Sequence, residues 1–347
     1  MARPEVPIIV ATRAFVVALL LAIPIPASGW GWQAHRLITD LALDLLPLEL
    51  RVRWLPLEQE LQEQSVRPDR LAVVDPREAF KHYINPECME PGYLEFLKTH
   101  PPLPRKRRSA SSDSKTPDEE KDDEAEGSEK KAKEPKEEKP APARLYFQGR
   151  IPLSIQEQDR HFSLLPPDFG DFERIVPKPF RPEVGTVVYQ PAYYYEVLVR
   201  ELRAGNKPAV SAVIGSLAHY VGDLHVPLHT TVNHNGRFTG NYYRGSGPNH
   251  SVHSRFETGL VKFLGPALRG MVARRLRPAR SLDRSLLTRI VLERAREAGG
   301  FVGTVIRTDL DWFARHPGTR VQWKRYYPEV QPALAPIVER QMAASAQ

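Results

Sequence analysis

The chain has 347 residues, 11 histidines, one cysteine and 33 prolines, and its 49 Lys/Arg against 42 Asp/Glu give a net charge of +7. This length buries a large core. A single cysteine excludes an intramolecular disulfide and any zinc–thiolate cluster, and a proline content well above the ordinary ~5% points to long connecting segments.

Residues 1–29 read as a secretory signal. Arg3 and Arg13 precede the apolar run Ala14–Ile25, Pro24 and Pro26 break that run, and Ala27-Ser28-Gly29 offers small residues for cleavage. The run is too short to cross a bilayer comfortably; an uncleaved anchor is the alternative. Cleavage after Gly29 leaves Trp30 as the first residue, removes Arg3, Glu5 and Arg13, and lowers the net charge to +6. The expected location is secreted or periplasmic.

Helical spacing of Leu37, Ile38, Leu41, Leu43 and Leu45 predicts a helix over 34–46, ended by Pro47. A charged amphipathic helix is expected over 51–63. Residues 105–144 hold 12 Lys/Arg and 12 Asp/Glu with almost no large apolar residue, so they read as a disordered insert within one domain. The +6 excess therefore belongs to the folded part and suits a polyanion or an anionic surface. Further helices are expected over 190–204, 209–224, 251–263, 283–297, 299–314 and 328–343, with long loops at about 84–190 and 229–250. No alternating strand pattern and no repeat is present. The fold class is all-α: one helical domain, 30–347, with long loops and a disordered insert.

Two His/carboxylate pairs carry the chemistry. His219 and Asp223 are four residues apart, as are His253 and Glu257, and on a helix that spacing puts both members on one face. His229 follows a Pro227 turn. Nitrogen and oxygen ligands without thiolate form the donor set of a catalytic zinc site. Upstream, His35 lies five residues after Trp30, and Asp69 and His82 flank an apolar stretch that also contains Asp75, a rival to Asp69. His100, His161 and His316 look isolated and read as surface residues, while His225 and His234 fit no ligand position. Cys88 is an incidental thiol. No G-x-S-x-G elbow occurs, which argues against a serine esterase.

The N-terminal Trp30, the His-x3-Asp-x5-His of 219–229 and the His-x3-Glu of 253–257 resemble the secreted zinc-dependent phospholipases C and the single-strand-specific zinc nucleases. That resemblance covers about 30–100 and 150–345 and implies an all-α fold with a three-zinc cluster. It implies one zinc on the Trp30 amino and carbonyl groups, His35 and a bridging Asp69. A second would be held by Asp69, His82, His219 and Asp223, and a third by His229, His253 and Glu257 together with the Trp30 and His35 end of the cluster. It also implies that Asp69 orients or deprotonates the attacking water, and whether two or three zincs bind stays open. The expected activity is hydrolysis of a phosphodiester by metal-activated water.

Glu257 as last ligand resembles the phospholipases. Gln33 and Arg70 stand where their choline-pocket residues would be. The loop 233–241, with Asn241, is nuclease-like, and Tyr83 beside His82 is placed to stack on a base or to pack at the rim. Tyr193, Tyr194 and Tyr195 read as helix packing. The partner is a phosphodiester substrate, phospholipid or single-stranded nucleic acid; a non-catalytic zinc-stabilised surface-binding module is a third reading.

Overall fold

In the computed structural model the described residues are 30–102, 142–147, 155–241, 251–278, 282–317 and 323–347. The expected signal at 1–29 lies outside them, as does the charged insert up to residue 141. Its last residues belong instead to a short helix, Pro142–Phe147.

The chain is all-α. Among the described residues the only β-pairing is an isolated bridge, Ile84 with Gly185, and no helix is long and apolar enough to cross a membrane. The helices that position the site are α1 (Trp32–Asp44), α2 (Glu58–Ser65), α3 (Arg67–Val74), α4 (Gln190–Ala204), α5 (Lys207–Leu224), α6 (Leu287–Gly299), α7 (Val302–Arg315) and α8 (Trp323–Ala346). The expected helix over 51–63 is divided: Leu48–Trp54 is helical, Leu55–Leu57 is a 3₁₀ turn containing Pro56, and α2 follows. Pro56 supplies no N–H and breaks the ladder there.

Helix α5 is central and packs on α2 and α4. Its small residues allow this. A Cβ on Gly215 would fall 2.3 Å from Gln64 Cβ, so only glycine permits α2 to cross so closely. Helix α8 starts earlier than the expected residue 328 despite Pro328, Pro332 and Pro336 inside it. All three prolines are exposed. They share one face at four-residue spacing, where water can take the carbonyls that lose an N–H partner.

Among the described residues of 84–190, expected as a long loop, most belong instead to short helices, among them Pro86–Met89, Pro91–Thr99, Ile155–Phe162 and Phe169–Ile175. Their apolar residues (Tyr93, Leu97, Phe172 and Val188 among them) build one of two apolar clusters, together with Tyr220 and Leu224 of α5. The other gathers Trp30, Ala34, Ile38, Leu228, Phe256, Ile306 and the buried face of α8. The metal-type residues lie at the seam. His35 sits between Ala34 and Ile38 of one cluster, His219 beside Tyr220 of the other, and His229 between Leu228 and Val232, one from each.

Candidate metal centre

Three groups of side chains bring ligand atoms within 4.8 Å of one another: His35 with Asp69 and His219, His82 with His219 and Asp223, and His229 with His253 and Glu257. Every His, Asp and Glu read from the sequence as a ligand is therefore in one buried assembly. Asp75 is not. It caps the helix Pro76–Ala79, accepting from the Arg77 N–H at 2.9 Å and pairing with the Arg77 guanidinium. An Asp just before Pro at a helix start is an N-cap signal legible in the sequence.

Local folding sets each imidazole. The close approach of α2 at Gly215 brings the Ser65 carbonyl to 2.8 Å from His219 Nδ1 one turn further on. That contact turns His219 Nε2 toward the site. The His35 ring lies against Gly222, where an added Cβ would be 3.0 Å from Nδ1, and stacks on His219 with centroids 4.1 Å apart. His82 is held by its chain: Ile84 N–H donates to the His229 carbonyl at 2.8 Å, and Val187 N–H to the Tyr83 carbonyl at 3.1 Å. Tyr220, hydrogen-bonded to Glu78, packs against the rings of His82 and His219. Buried Glu87 braces the strand of chain after His229, accepting from Thr231 Oγ1 at 2.6 Å and Val232 N–H at 3.3 Å. Burial raises its pKa.

Asp223 joins the groups. Its Oδ2 is 2.8 Å from His82 Nδ1 and 3.0 Å from His219 Nε2, and its Oδ1 is 3.5 Å from both His35 Nε2 and His229 Nδ1. Asp69 Oδ1 faces His82 and His219 at 3.7 and 3.8 Å. The two-sided geometry assigned to Asp69 by resemblance is thus most fully developed at Asp223. In the third group His253 Nε2 is 2.6 Å and His229 Nε2 3.7 Å from Glu257 Oε2. His253 and Glu257 stand on one continuous helical run, but its middle, Arg255–Leu260, is a π-turn rather than α-helix.

Burial of this many polar groups sets their protonation. Desolvation lowers the pKa of His35, holds His229 well below its ordinary value and brings His253 down to about 4, so these three imidazoles are neutral. His219 is also desolvated, yet Asp223 and Asp69 raise it to about 9. Burial raises Asp69 and pushes Glu257 well above the carboxylate range; Asp223, desolvated too, is held low by His219 and His229.

Buried atoms in this assembly that make no hydrogen bond include both nitrogens of His35, His82 Nε2, Asp223 Oδ1, His229 Nδ1 and Glu257 Oε1. So many unmet groups are rare in a folded interior, and three acidic side chains among five imidazoles form a donor set that suits divalent cations. The residues fit metal ions.

Trp30, the first described residue, is fully buried against Phe256, and a Cβ added at Gly31 would lie 3.2 Å from Oγ1 of Thr258, the residue after Glu257. Half-buried Tyr83 lies parallel to His234, with centroids 6.3 Å apart, and the His234 ring meets His253 edge-on at 5.7 Å. Asn241 is corrected. It is fully buried, and its amide is spent on Asp309 Oδ2 at 2.7 Å, the Ile306 carbonyl at 3.2 Å and Thr239 Oγ1 at 2.6 Å. It supports the site rather than a substrate. His161 is corrected as well: it is buried and lies 2.7 Å from Glu90 Oε1. His225 turns away from the centre, with Nδ1 2.7 Å from the Val221 carbonyl. Cys88 is buried apart from the three groups.

The sequence reading missed Asp309, whose signal is nonetheless present. It occupies a buried position of α7 in register with Val302, Val305 and Trp312, and a charge on an apolar face needs a partner.

Comparison of the chain with family models, with curated proteins and with solved structures gives no match.

Proposed function

We propose that this chain is a secreted hydrolase that cleaves phosphodiesters with zinc held in the three groups described above. One observation carries the reading: nine groups that ligate metals by chemistry or by resemblance (Trp30, His35, Asp69, His82, His219, Asp223, His229, His253 and Glu257) come from segments far apart in sequence. The eight side chains among them that can ligate converge in one buried assembly. A structural site needs four ligands and closes on them. Three linked groups of three, drawn from nitrogen and oxygen donors alone, leave positions for water and substrate.

Bound zinc would lower the pKa of a water toward ~7 and neutralise the oxygens of an anionic phosphodiester. The chain's residues do the rest. Asp223, with Oδ2 toward His82 and His219 and Oδ1 toward His35 and His229, would help hold metal on both sides. Asp69, facing His82 and His219, would accept the proton of the attacking water. The Ser65 carbonyl fixes His219, and the wall of Tyr220 and Phe256 excludes bulk water. Removal of residues 1–29 would free the Trp30 amino group as the further ligand that the resemblance implies. Next to the site, Arg36 and Arg70 pair with Glu63 at 2.8 and 2.9 Å, and Arg70 lies over Trp32 at 4.9 Å. Two guanidinium groups sharing one carboxylate leave positive charge where an anion approaches.

Glu257 favours a phospholipase C activity by resemblance. The parallel Tyr83–His234 pair at the rim supports single-stranded nucleic acid as the second reading, because a flat aromatic face accepts any base.

The test uses protein beginning at Trp30 and loaded with zinc. Bis(p-nitrophenyl) phosphate, single-stranded DNA or RNA, and mixed phospholipid vesicles are assayed in parallel with and without chelator. Chelator-sensitive hydrolysis of the small diester is the expected result, and whichever natural substrate is cleaved assigns the class. No turnover of any of them by zinc-loaded protein would sink the hydrolase reading and leave a zinc-stabilised binding module.

A further inference from the structure

Arg255 lies two residues from His253 and two from Glu257, inside the π-turn Arg255–Leu260. It is fully buried, an expensive place for a guanidinium. Its Nε donates to Asp309 Oδ1 and its Nη2 to Asp309 Oδ2, both at 2.7 Å, and Nη2 also donates to the Asn241 carbonyl at 3.0 Å. Asp309 Oδ1 accepts from Tyr326 Oη–H at 2.6 Å, and Oδ2 from Asn241 Nδ2 at 2.7 Å. The guanidinium lies over the rings of Phe313 and Tyr326. Four segments thus meet at one residue: the π-turn, the segment around Asn241, α7 and α8.

Net stability does not account for such a pair, since apolar residues of similar volume serve as well or better. A forked, two-bond pair does offer a fixed orientation. Orientation is what a π-turn needs, because its wide i→i+5 turn is rare and is found frequently at functional sites. Here the turn carries Glu257 and begins two residues after His253, the other helical ligand of the third metal group. The same pair fixes the loop bearing His234, which meets His253 edge-on.

We propose that Arg255 is a positioning residue. Clamped by Asp309, it holds the π-turn in the register that converges His253 and Glu257 on His229, and so sets the geometry of the third metal position. This inference rests on reading His229, His253 and Glu257 as a metal position, and it does not depend on which phosphodiester is cleaved.

Metal content and affinity are measured by titration of the zinc-loaded protein with a competing chromophoric chelator, alongside far-UV circular dichroism and the melting temperature of the chelated protein. The variants are Arg255→Lys, Asp309→Asn and the volume-conserving double change Arg255→Met with Asp309→Leu. The double variant is expected to keep its helicity and to lose one metal equivalent, its affinity there falling at least about tenfold, as loss of an outer support typically does. Arg255→Lys, keeping the charge but not the fork, should fall between. Full metal content and undiminished affinity in a folded double variant would overturn the proposal. So would loss of every equivalent together with helicity in all three variants, which is the behaviour of a purely structural pair. Glu257→Ala is the control: unchanged stoichiometry there would remove the third metal position itself, and the inference with it.

Discussion

Asp223 meets four imidazoles through two oxygens, so its loss should act on more than one metal position. Asp223→Ala is expected to lower zinc content by about two equivalents and to remove turnover. Glu257→Ala, confined to the third group, should cost one. Metal analysis of dialysed protein separates the two cases, and equal losses would contradict the bridging geometry. Gly222 gives a subtler test. An added methyl would meet His35 Nδ1 at 3.0 Å and Cε1 at 3.1 Å, so the ring must shift by a few tenths of an ångström. Yet replacing a glycine in a helix interior by alanine favours the helix by up to about 1 kcal/mol. Gly222→Ala should therefore weaken zinc binding about tenfold without lowering the melting temperature of the metal-free protein. A parallel loss of both would mean general disruption. The pairs His219/Asp223 and His253/Glu257 were legible because i,i+4 spacing is local, whereas His35, Asp69 and His82 entered through the resemblance. The Asp309–Arg255 pair was not, because its members are 54 residues apart and only the fold joins them.

At the scale of elements, the periodic helices α1, α4, α5, α6 and α7 follow the sequence pattern within a few residues. The departures have local causes. Pro56 divides one helix, exposed prolines fail to stop another, and the π-turn keeps the helical period roughly while changing its hydrogen bonds. The segment 84–190 misled because its helices are mostly three to nine residues long, too short for a 3.6-residue period to register. What holds that segment to the site is a crossing of backbones. Gly185 has φ +81°, and a Cβ there would lie 2.1 Å from the Tyr83 carbonyl oxygen. Asn85 N–H to the Val184 carbonyl at 2.6 Å and Thr186 N–H to the Phe80 carbonyl at 2.9 Å close the same crossing. Gly185→Ala meets both the left-handed backbone and the clash, and is expected to cost about 2–4 kcal/mol, read as a lower urea midpoint. Because His82 lies in the displaced segment, zinc affinity should fall in the same variant. A stability close to that of the unaltered chain would refute the crossing.

For the whole molecule, the metal centre lies at the seam of two apolar clusters, each with its own large buried side chains: Trp312 and Phe256 in one, Tyr93 and Phe172 in the other. Each cluster supplies hydrophobic burial that does not depend on metal. On the proposed reading the seam would depend on it, because there Asp69, Asp223 and Glu257 face several imidazoles with unmet hydrogen-bonding atoms. Removing the metals should therefore loosen the joint while leaving the helices formed. A ligand at 100 times its dissociation constant stabilises the folded state by about 2.7 kcal/mol. Two or three such positions acting independently would contribute about 5–8 kcal/mol. For a domain of this size, 1 kcal/mol corresponds to roughly 2–4 °C, so chelation is expected to lower the melting temperature by about 10–30 °C with little change in far-UV ellipticity at 25 °C. Amide exchange should show the loss of protection concentrated in α5 and the π-turn, which carry ligands across the seam, and less in α8. An unchanged melting temperature after complete chelation would mean that the assembly holds no metal worth the burial of its carboxylates. Collapse of ellipticity at 25 °C would mean that the two clusters do not stand without it.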